Sequence, residues 1–274
     1  MSTRFRSLAV LGVGNMASAI ISGIISSDIE ISNILLYDKN ASQYDKLDNG
    51  KIPYSYALSA TEAVMSADCV LLSVKPQNYD EILSEISRVE GCEKKLYISI
   101  GAGITSDSVS FALGGACVIR VLPNVPMIIG EGVSVICENK SASEYDFDFV
   151  CSVFKAAGSV LIIDEAEMNR VIGVTSSSPA YVFKFINAIY KGALSQKLTD
   201  RELLNSVCDV VIGSALMLKQ SSDTPEELIS KVASKGGTTE QALLKLDEYK
   251  FDEAISNAML ACTKRAEELG GGKK

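Results

Sequence analysis

The chain has 274 residues, of which 47% are hydrophobic and 22% charged, a length and balance that suit one large globular domain or two smaller ones. Its formal net charge of −8 offers no long basic face to a phosphate backbone, so nucleic acid is not an expected partner. It has no histidine, which excludes a Ser-His-Asp triad, a Cys-His pair and the common histidine-based zinc sites, so any chemistry must proceed without imidazole.

From the amino end, Leu8–Leu11 is a short apolar run. Gly12, Gly14 and Ala17 follow as GxGxxA, and Ile20, Ile21, Ile24 and Ile25 continue at helical spacing. A second apolar run, Ile34–Tyr37, ends on Asp38. Strand, tight turn, helix, strand and a terminal acid together form a dinucleotide-binding pattern. In that pattern Gly12 permits the turn, Gly14 lets the backbone approach a pyrophosphate, and Ala17 keeps the helix close to the sheet. The free N–H groups of the helix start face the phosphates. Asp38 is then either a ribose acceptor, which favours NAD over a 2′-phosphate, or a plain turn acid. Lys39 beside it offsets that repulsion, so the choice between NAD and NADP stays open.

Lys39–Lys51 is polar with room for a short helix, and Ile52–Tyr54 is a short strand candidate. Ser59–Ala67 reads as a helix, with Ser59 and Glu62 at capping-box spacing. The continuous apolar run Cys69–Val74 reads as a buried parallel strand stopped by Lys75-Pro76. Further elements are a helix at Tyr79–Ser87, strands at Lys95–Ile100 and Ala116–Val121, and a short helix at Ser106–Phe111. Gly132–Cys137 and Ser159–Ile163 are strands around a helix at Ser143–Ala156. This alternation predicts a doubly wound, mostly parallel sheet over residues 1–163, with ligand at the carboxyl ends of its strands. There Val74, Lys75 and Pro76 are either a rim over the cofactor or a strand terminator. Ile100–Gly103 and Leu122–Asn124 either line the cleft or merely stop their strands.

Residues 164–274 carry no strand pattern, so an all-helical second domain is expected there. Pro179 must end, kink or start a helix within Glu165–Gly192, and the hydroxyls of Ser176, Ser177 and Ser178 beside it mark a close helix crossing or a wall of the substrate pocket. Asp200–Gln220 is a helix with an apolar stripe at Leu203, Val207, Val210, Val211 and Leu218, more than a satellite domain needs, which predicts burial against another subunit. Thr224, Pro225 and Glu227 start the next helix. Ser234–Thr239 then joins two helices. With Gly236 and Gly237 freeing the backbone and Thr238 as the expected cap, it is either a small-carboxylate site or only a flexible corner. Last come helices at Glu240–Leu246 and Phe251–Leu269 and a frayed GGGKK tail.

The seven cysteines are odd in number and scattered, so neither a disulfide framework nor a metal site is expected. Apolar runs are broken by charge before they span a bilayer, and residues 1–7 lack the apolar segment of a signal peptide. No membrane association is expected, and the cytoplasm is the default compartment.

Taken together, the motifs resemble those of the pyrroline-5-carboxylate reductase family over nearly the whole chain. They are GVGNMA at Gly12–Ala17, SVKP at Ser73–Pro76, SIGAG at Ser99–Gly103, RVLPNVP at Arg120–Pro126, SPAYVF at Ser178–Phe183 and KGGTTEQAL at Lys235–Leu243. The resemblance implies reduction of 1-pyrroline-5-carboxylate to L-proline with NADPH or NADH. It also implies a Rossmann domain followed by a helical domain, interlocked into a homodimer and often assembled as a decamer. Carried onto this chain, Gly236, Gly237, Thr238 and Thr239 hold the substrate carboxylate, with Thr239 toward the imine nitrogen and Ser177 and Ser178 alongside. The cofactor residues expected are Gly12, Gly14, Asn15, Met16, Ala17, Asp38, Lys39, Val74, Lys75, Pro76, Ala102 and Asn124. The chain departs from the family pattern at Ser176-Ser177-Ser178 for Gly-Ser-Gly, at Ser234-Lys235 for Ser-Pro, and at Leu122 for methionine. These departures leave room for a related cyclic imino acid as substrate, or for a non-catalytic nucleotide-binding protein on the same scaffold. The missing histidine suits imine reduction, because an imine nitrogen is basic enough to arrive protonated, and catalysis then rests on positioning.

Overall fold

The computed structural model describes residues 6–47, 54–139 and 141–271. In chain order its first part contains β1 (Arg6–Leu11), α1 (Asn15–Ile25), β2 (Ile31–Tyr37), β3 (Tyr54–Tyr56), α2 (Ala60–Met65), β4 (Cys69–Leu72) and α3 (Tyr79–Ile86). It continues with β5 (Leu96–Ser99), α4 (Ser106–Ala112), β6 (Cys117–Leu122), β7 (Gly132–Cys137), α5 (Glu144–Lys155) and β8 (Gly158–Ile163). The strands form one sheet in the order β3-β2-β1-β4-β5-β6-β7-β8. All neighbouring pairs are parallel except β6 and β7, which are antiparallel.

The period of two along β1 explains why helices cover both faces. Leu8 and Val10 pack with Ile20, Ile21 and Ile24 of α1 on one side. Ala9 and Leu11 pack with Val64 of α2 and Ile82 and Ile86 of α3 on the other. β4 and β5 are buried along their whole length, as a continuous apolar run requires in a parallel sheet. The expected doubly wound sheet is therefore present. One detail differs from the sequence reading, the bounds of the third strand. The third strand is Tyr54–Tyr56, and the predicted Ile52 and Pro53 lie outside the described residues. The polar stretch after Asp38 forms the short helix it has room for, Ala41–Lys46, started by Asn40, whose side chain accepts the Ser42 N–H. The GGGKK tail also falls largely outside what is described.

After β8 come α6 (Met168–Val171), α7 (Ser178–Ser195), α8 (Leu203–Gln220), α9 (Pro225–Val232), α10 (Thr238–Glu248) and α11 (Phe251–Gly271), with no further strand among the described residues. The chain divides into two compact units. The first reaches to Ser177 and takes in the chain from Cys262, and the second is Ser178–Ala261. Residues 165–177 stay with the sheet for a packing reason: Met168 and Ile172 are buried with Leu122, Val135 and Cys137, and Ala266 joins that cluster. An ion pair adds to it. Arg120, 2% exposed, donates to Glu165 Oε1 at 2.7 Å and to Asn169 Oδ1 at 3.0 Å. Burial pushes the Glu165 carboxyl up, but the Arg120 guanidinium, with Cys137 and Ser106, outweighs it and holds the group below the usual carboxylate range.

In the second unit Pro179 sits in the first turn of α7, and Thr224 and Glu227 form the expected reciprocal cap of α9. Helices α7, α9 and α10 have no buried residue, and α8 has only Val207. By length and composition α8 alone among the described helices is apolar enough to cross a membrane, which corrects the expectation that charge interrupts every apolar run too early. Asp209 and Lys219 are its charged side chains, and with them its mean hydropathy is still 1.2.

Candidate active site

The glycine turn sits between β1 and α1. Gly12 has φ +92° and donates its N–H to Tyr37 O at 2.8 Å. A Cβ there would lie 2.8 Å from Ser73 O and 2.9 Å from Val74 N, so only glycine fits. Gly14 caps α1 through its backbone alone, the first turn of α1 holds no acid, and a Cβ on Gly14 would meet nothing within 4 Å. The start of the helix thus opens onto space beside Gly14 with no capping side chain on Gly14, which is the arrangement that receives a phosphate. Asn15 is exposed at the first position of α1, and Ala17 is fully buried against the sheet.

Asp38 reaches back over this turn from the tip of β2. Its Oδ2 accepts the Val13 N–H at 2.7 Å, its Oδ1 accepts the Asn40 N–H at 2.8 Å, and its own N–H donates to the Tyr44 hydroxyl at 2.8 Å. A cavity of about 290 Å³ opens here, lined by Gly12, Gly14, Asp38, Lys39, Ser73 and Lys75 among others. Lys39 is spoken for at its rim: its Nζ pairs with Glu81 Oε1 at 2.5 Å, and that hydrogen bond raises its pKa.

A second cavity of about 240 Å³ lies over the ends of β4, β5 and β6, lined by Met16, Val74, Pro76, Ala102, Leu122 and Ser176 among others. The two cavities share Ser73, Val74 and Lys75, so they form one crevice across the carboxyl ends of the strands. The crevice begins where strand order reverses between β1 and β4, the place where open α/β sheets bind ligands. An open cradle for a diphosphate, an acid at the ribose end and a mostly apolar far pocket fit a nicotinamide dinucleotide.

Three expected residues, Asn124, Ser177 and Ser178, stand elsewhere. Asn124 lines neither cavity. It is 6% exposed, its Oδ1 accepts the Val133 N–H at 2.8 Å and its Nδ2 donates to Thr175 O at 3.0 Å, so it ties the loop after β6 to β7 and to the turn before α7. Ser177 faces Cys262, with Oγ and Sγ 3.1 Å apart, while Ser178 begins α7 in the other unit. The serine that lines the second cavity is Ser176. The sequence offers three successive hydroxyls and no means of choosing. The choice is made by a tight turn in which the N–H groups of Ser176 and Ser177 both donate to Ile172 O.

In the second unit, residues 234–239 make a compact corner. Gly236 has φ +76°, and its N–H donates to Glu240 Oε2 at 2.8 Å. Gly237 donates to Ser234 O at 2.9 Å, and a Cβ there would fall 2.6 Å from Ser234 Oγ. The N-cap of α10 is Gly237, which corrects the expectation of Thr238. Thr238 and Thr239 are the first two helical residues, and no side chain caps them. The first-turn N–H groups therefore lack intrahelical acceptors, as a carboxylate receptor requires. Among the described residues no three Cys, Asp or Glu side chains gather to hold a metal ion.

Fold and crevice define a dinucleotide-dependent oxidoreductase of the Rossmann type. The family model described as NADP oxidoreductase, coenzyme F420-dependent, matches residues 7–103, and that for pyrroline-5-carboxylate reductase dimerisation matches residues 165–269. The chain is 33% identical to a pyrroline-5-carboxylate reductase of Escherichia coli, over 96% of this chain and 98% of that one. It is 32% identical to that of Haemophilus influenzae, over 96% and 97%. The crystal structure of a Plasmodium falciparum pyrroline carboxylate reductase with NADP bound superposes with a TM-score of 0.86 at 26% identity, covering 97% of this chain and 98% of that one. The chain belongs to the pyrroline-5-carboxylate reductase family.

Proposed function

We propose that this protein reduces 1-pyrroline-5-carboxylate to L-proline with NADPH or NADH. The observation that carries the reading is the single crevice formed by the two cavities, phosphate-ready at one end and apolar at the other, in a chain of this family. Gly12, Gly14, Asn15 and Met16 hold the middle of the cofactor, and Ala17 lets α1 approach the sheet. Asp38 accepts from the adenosine ribose, with Lys39 at its edge. Val74, Lys75, Pro76 and Ala102 carry the far half, while Asn124 acts by fixing the loop beneath it. The bound reduced nicotinamide supplies a hydride for the C=N bond.

The protein's own part is orientation and exclusion of water. The corner of Gly236, Gly237, Thr238 and Thr239 holds the substrate carboxylate, with the first-turn N–H groups of Thr238 and Thr239 donating to it and the two glycines shaping the turn, and the Thr239 hydroxyl donates toward the ring nitrogen. Ser177 and Ser178 belong to the substrate side. No strong acid is called for, since the imine arrives protonated, in keeping with a chain that has no histidine.

The division of labour assigns cofactor chiefly to residues 1–163, with Ile172 and Ser176 closing the wall of its far half, and substrate and dimerisation to residues 164–274. The exposed apolar side chains of α7 and α8 support a homodimer through the helical unit, with a decamer as the higher assembly. Seven free thiols suit a reducing compartment, and the cytoplasm is the proposed one. The test is direct. With 1-pyrroline-5-carboxylate and either reduced cofactor, the absorbance of that cofactor should fall, and no consumption with either would refute the proposal.

A further inference from the structure

The wall of the second cavity carries one polar group that nothing among the described residues satisfies. Ser176 Oγ is buried and has no hydrogen-bond partner, and it is the only such side-chain atom among the described residues that line either half of the crevice. Its surroundings are apolar: Met16, Ile100, Leu122, Pro123 and Ile172. The backbone holds the residue at the wall, because the Ser176 N–H is fixed on Ile172 O at 3.1 Å and the next N–H on the same oxygen at 2.9 Å, so rotation about χ1 is all that brings the hydroxyl to a ligand. A buried hydroxyl left unpaired is unfavourable, and one at the wall of a ligand cavity is relieved when a ligand brings a partner.

We infer that Ser176 is a positioning residue for the cofactor, its hydroxyl pairing with the carboxamide of the nicotinamide ring. This rests on the dinucleotide reading of the crevice. With the phosphate cradle at Gly14 and the ribose acid at Asp38 on one side, the nicotinamide end lies over β4, β5 and β6, where Ser176 is. A serine hydroxyl donates and accepts, and a carboxamide offers a carbonyl oxygen and an NH₂ group, so either rotamer of the amide finds a partner. Lys75 and Ser73 are the other polar side chains of that cavity, and both also border the diphosphate half. Ser176 alone is confined to the nicotinamide half. Its hydroxyl selects the rotation of the ring about its glycosidic bond, and so which face of the ring is turned to the substrate.

The experiment compares whole and truncated ligands. Ser176→Ala should bind NADH and NADPH about three- to tenfold more weakly than the unaltered chain, by fluorescence titration, as expected for one hydrogen bond. It should bind ADP-ribose, which lacks the nicotinamide, with unchanged affinity. The melting temperature of the free variant should equal or exceed that of the unaltered chain, because an unpaired hydroxyl has been removed, while the rise on adding dinucleotide shrinks. Should Ser176→Ala fail to fold, Ser176→Cys keeps the shape with a weak donor and should show the same selective loss. Equal losses for dinucleotide and ADP-ribose, or no loss for either, overturn the assignment. Failure of the unaltered chain to bind any dinucleotide overturns the cofactor reading and this inference together.

Discussion

The two units of this chain satisfy the hydrophobic effect in opposite ways. The sheet unit closes its own core: Leu8, Val10, Ile20, Leu36, Val70 and Ile98 are at most barely accessible to water, and helices cover both faces. The unit Ser178–Ala261 leaves Phe183, Val210, Ile212, Leu216 and Met217 between 47% and 65% exposed. Fully burying one such side chain is worth roughly 1.5–3 kcal/mol, so five that are about half exposed forgo on the order of 4–8 kcal/mol, a large share of the about 5–15 kcal/mol net stability of an ordinary domain. The family model described as pyrroline-5-carboxylate reductase dimerisation spans these same residues. The lesson is that the first unit closes its own core within one chain, while the second leaves its apolar side chains open.

The sharpest way to break that contrast is at α8. Val210 and Met217 lie two turns apart on one face, and the double substitution Val210→Asp, Met217→Asp should reduce the protein to a monomer in light scattering while ADP-ribose binding persists. An unchanged mass would show that α8 is not the covered face. The next largest effect belongs to the self-contained unit. Gly12→Ala must adopt a left-handed φ and push against Ser73, so dinucleotide affinity should fall at least about tenfold with the oligomer intact. Retention of wild-type affinity in a titration would refute the cradle.

Thr239→Val probes the helical unit without touching its apolar face. The value of kcat/KM for 1-pyrroline-5-carboxylate should drop by about tenfold or more, with cofactor affinity unchanged. Equal rates would remove the hydroxyl from the mechanism. Glu165→Gln tests what keeps residues 165–177 on the sheet, and should cost about 2 kcal/mol at pH 7 in urea unfolding, because it leaves Arg120 buried without its counter-charge. The sign with pH follows from the lowered carboxyl. The folded group titrates below the unfolded one, so its stabilisation is present at neutral pH and is lost as pH falls through the folded value. The unaltered protein should lose stability over that acid range more steeply than the variant, and parallel curves would contradict the pairing. The smallest effect is expected for Asp38→Asn, which keeps an acceptor for the Val13 N–H but removes the charge. The ratio of NADPH to NADH affinity should rise a few-fold, and a fixed ratio would detach Asp38 from cofactor choice.

What could be read from the sequence was what short-range geometry decides. The turn at Gly12 and Gly14, the run of β4 and the reciprocal cap of Thr224 and Glu227 are each specified by a few neighbouring residues, and the structure shows all of them. What escaped was decided at long range or by fine turn geometry. The first unit runs on past the last strand to Ser177 because Met168 and Ile172 pack on Leu122 and Val135, and no local pattern reports that. Asn124 looked available to a ligand because its two partners, Val133 and Thr175, lie on other elements. Ser176 rather than Ser177 meets the cavity because of a single bifurcated carbonyl at Ile172. The cap of α10 fell to Gly237 instead of Thr238 because Gly236 takes the left-handed turn one residue earlier than the hydroxyl pattern suggests.

The bond from the Gly236 N–H to Glu240 gives the corner before α10 an acid of its own. On the proposed reading, an arriving imino acid finds one arm of its seat already held and a like charge beside the rest. Capture is thereby weakened, and so is the grip on proline, which leaves bearing the same group. An internal placeholder of this kind trades tenacity for turnover, and keeps the loop folded between visits.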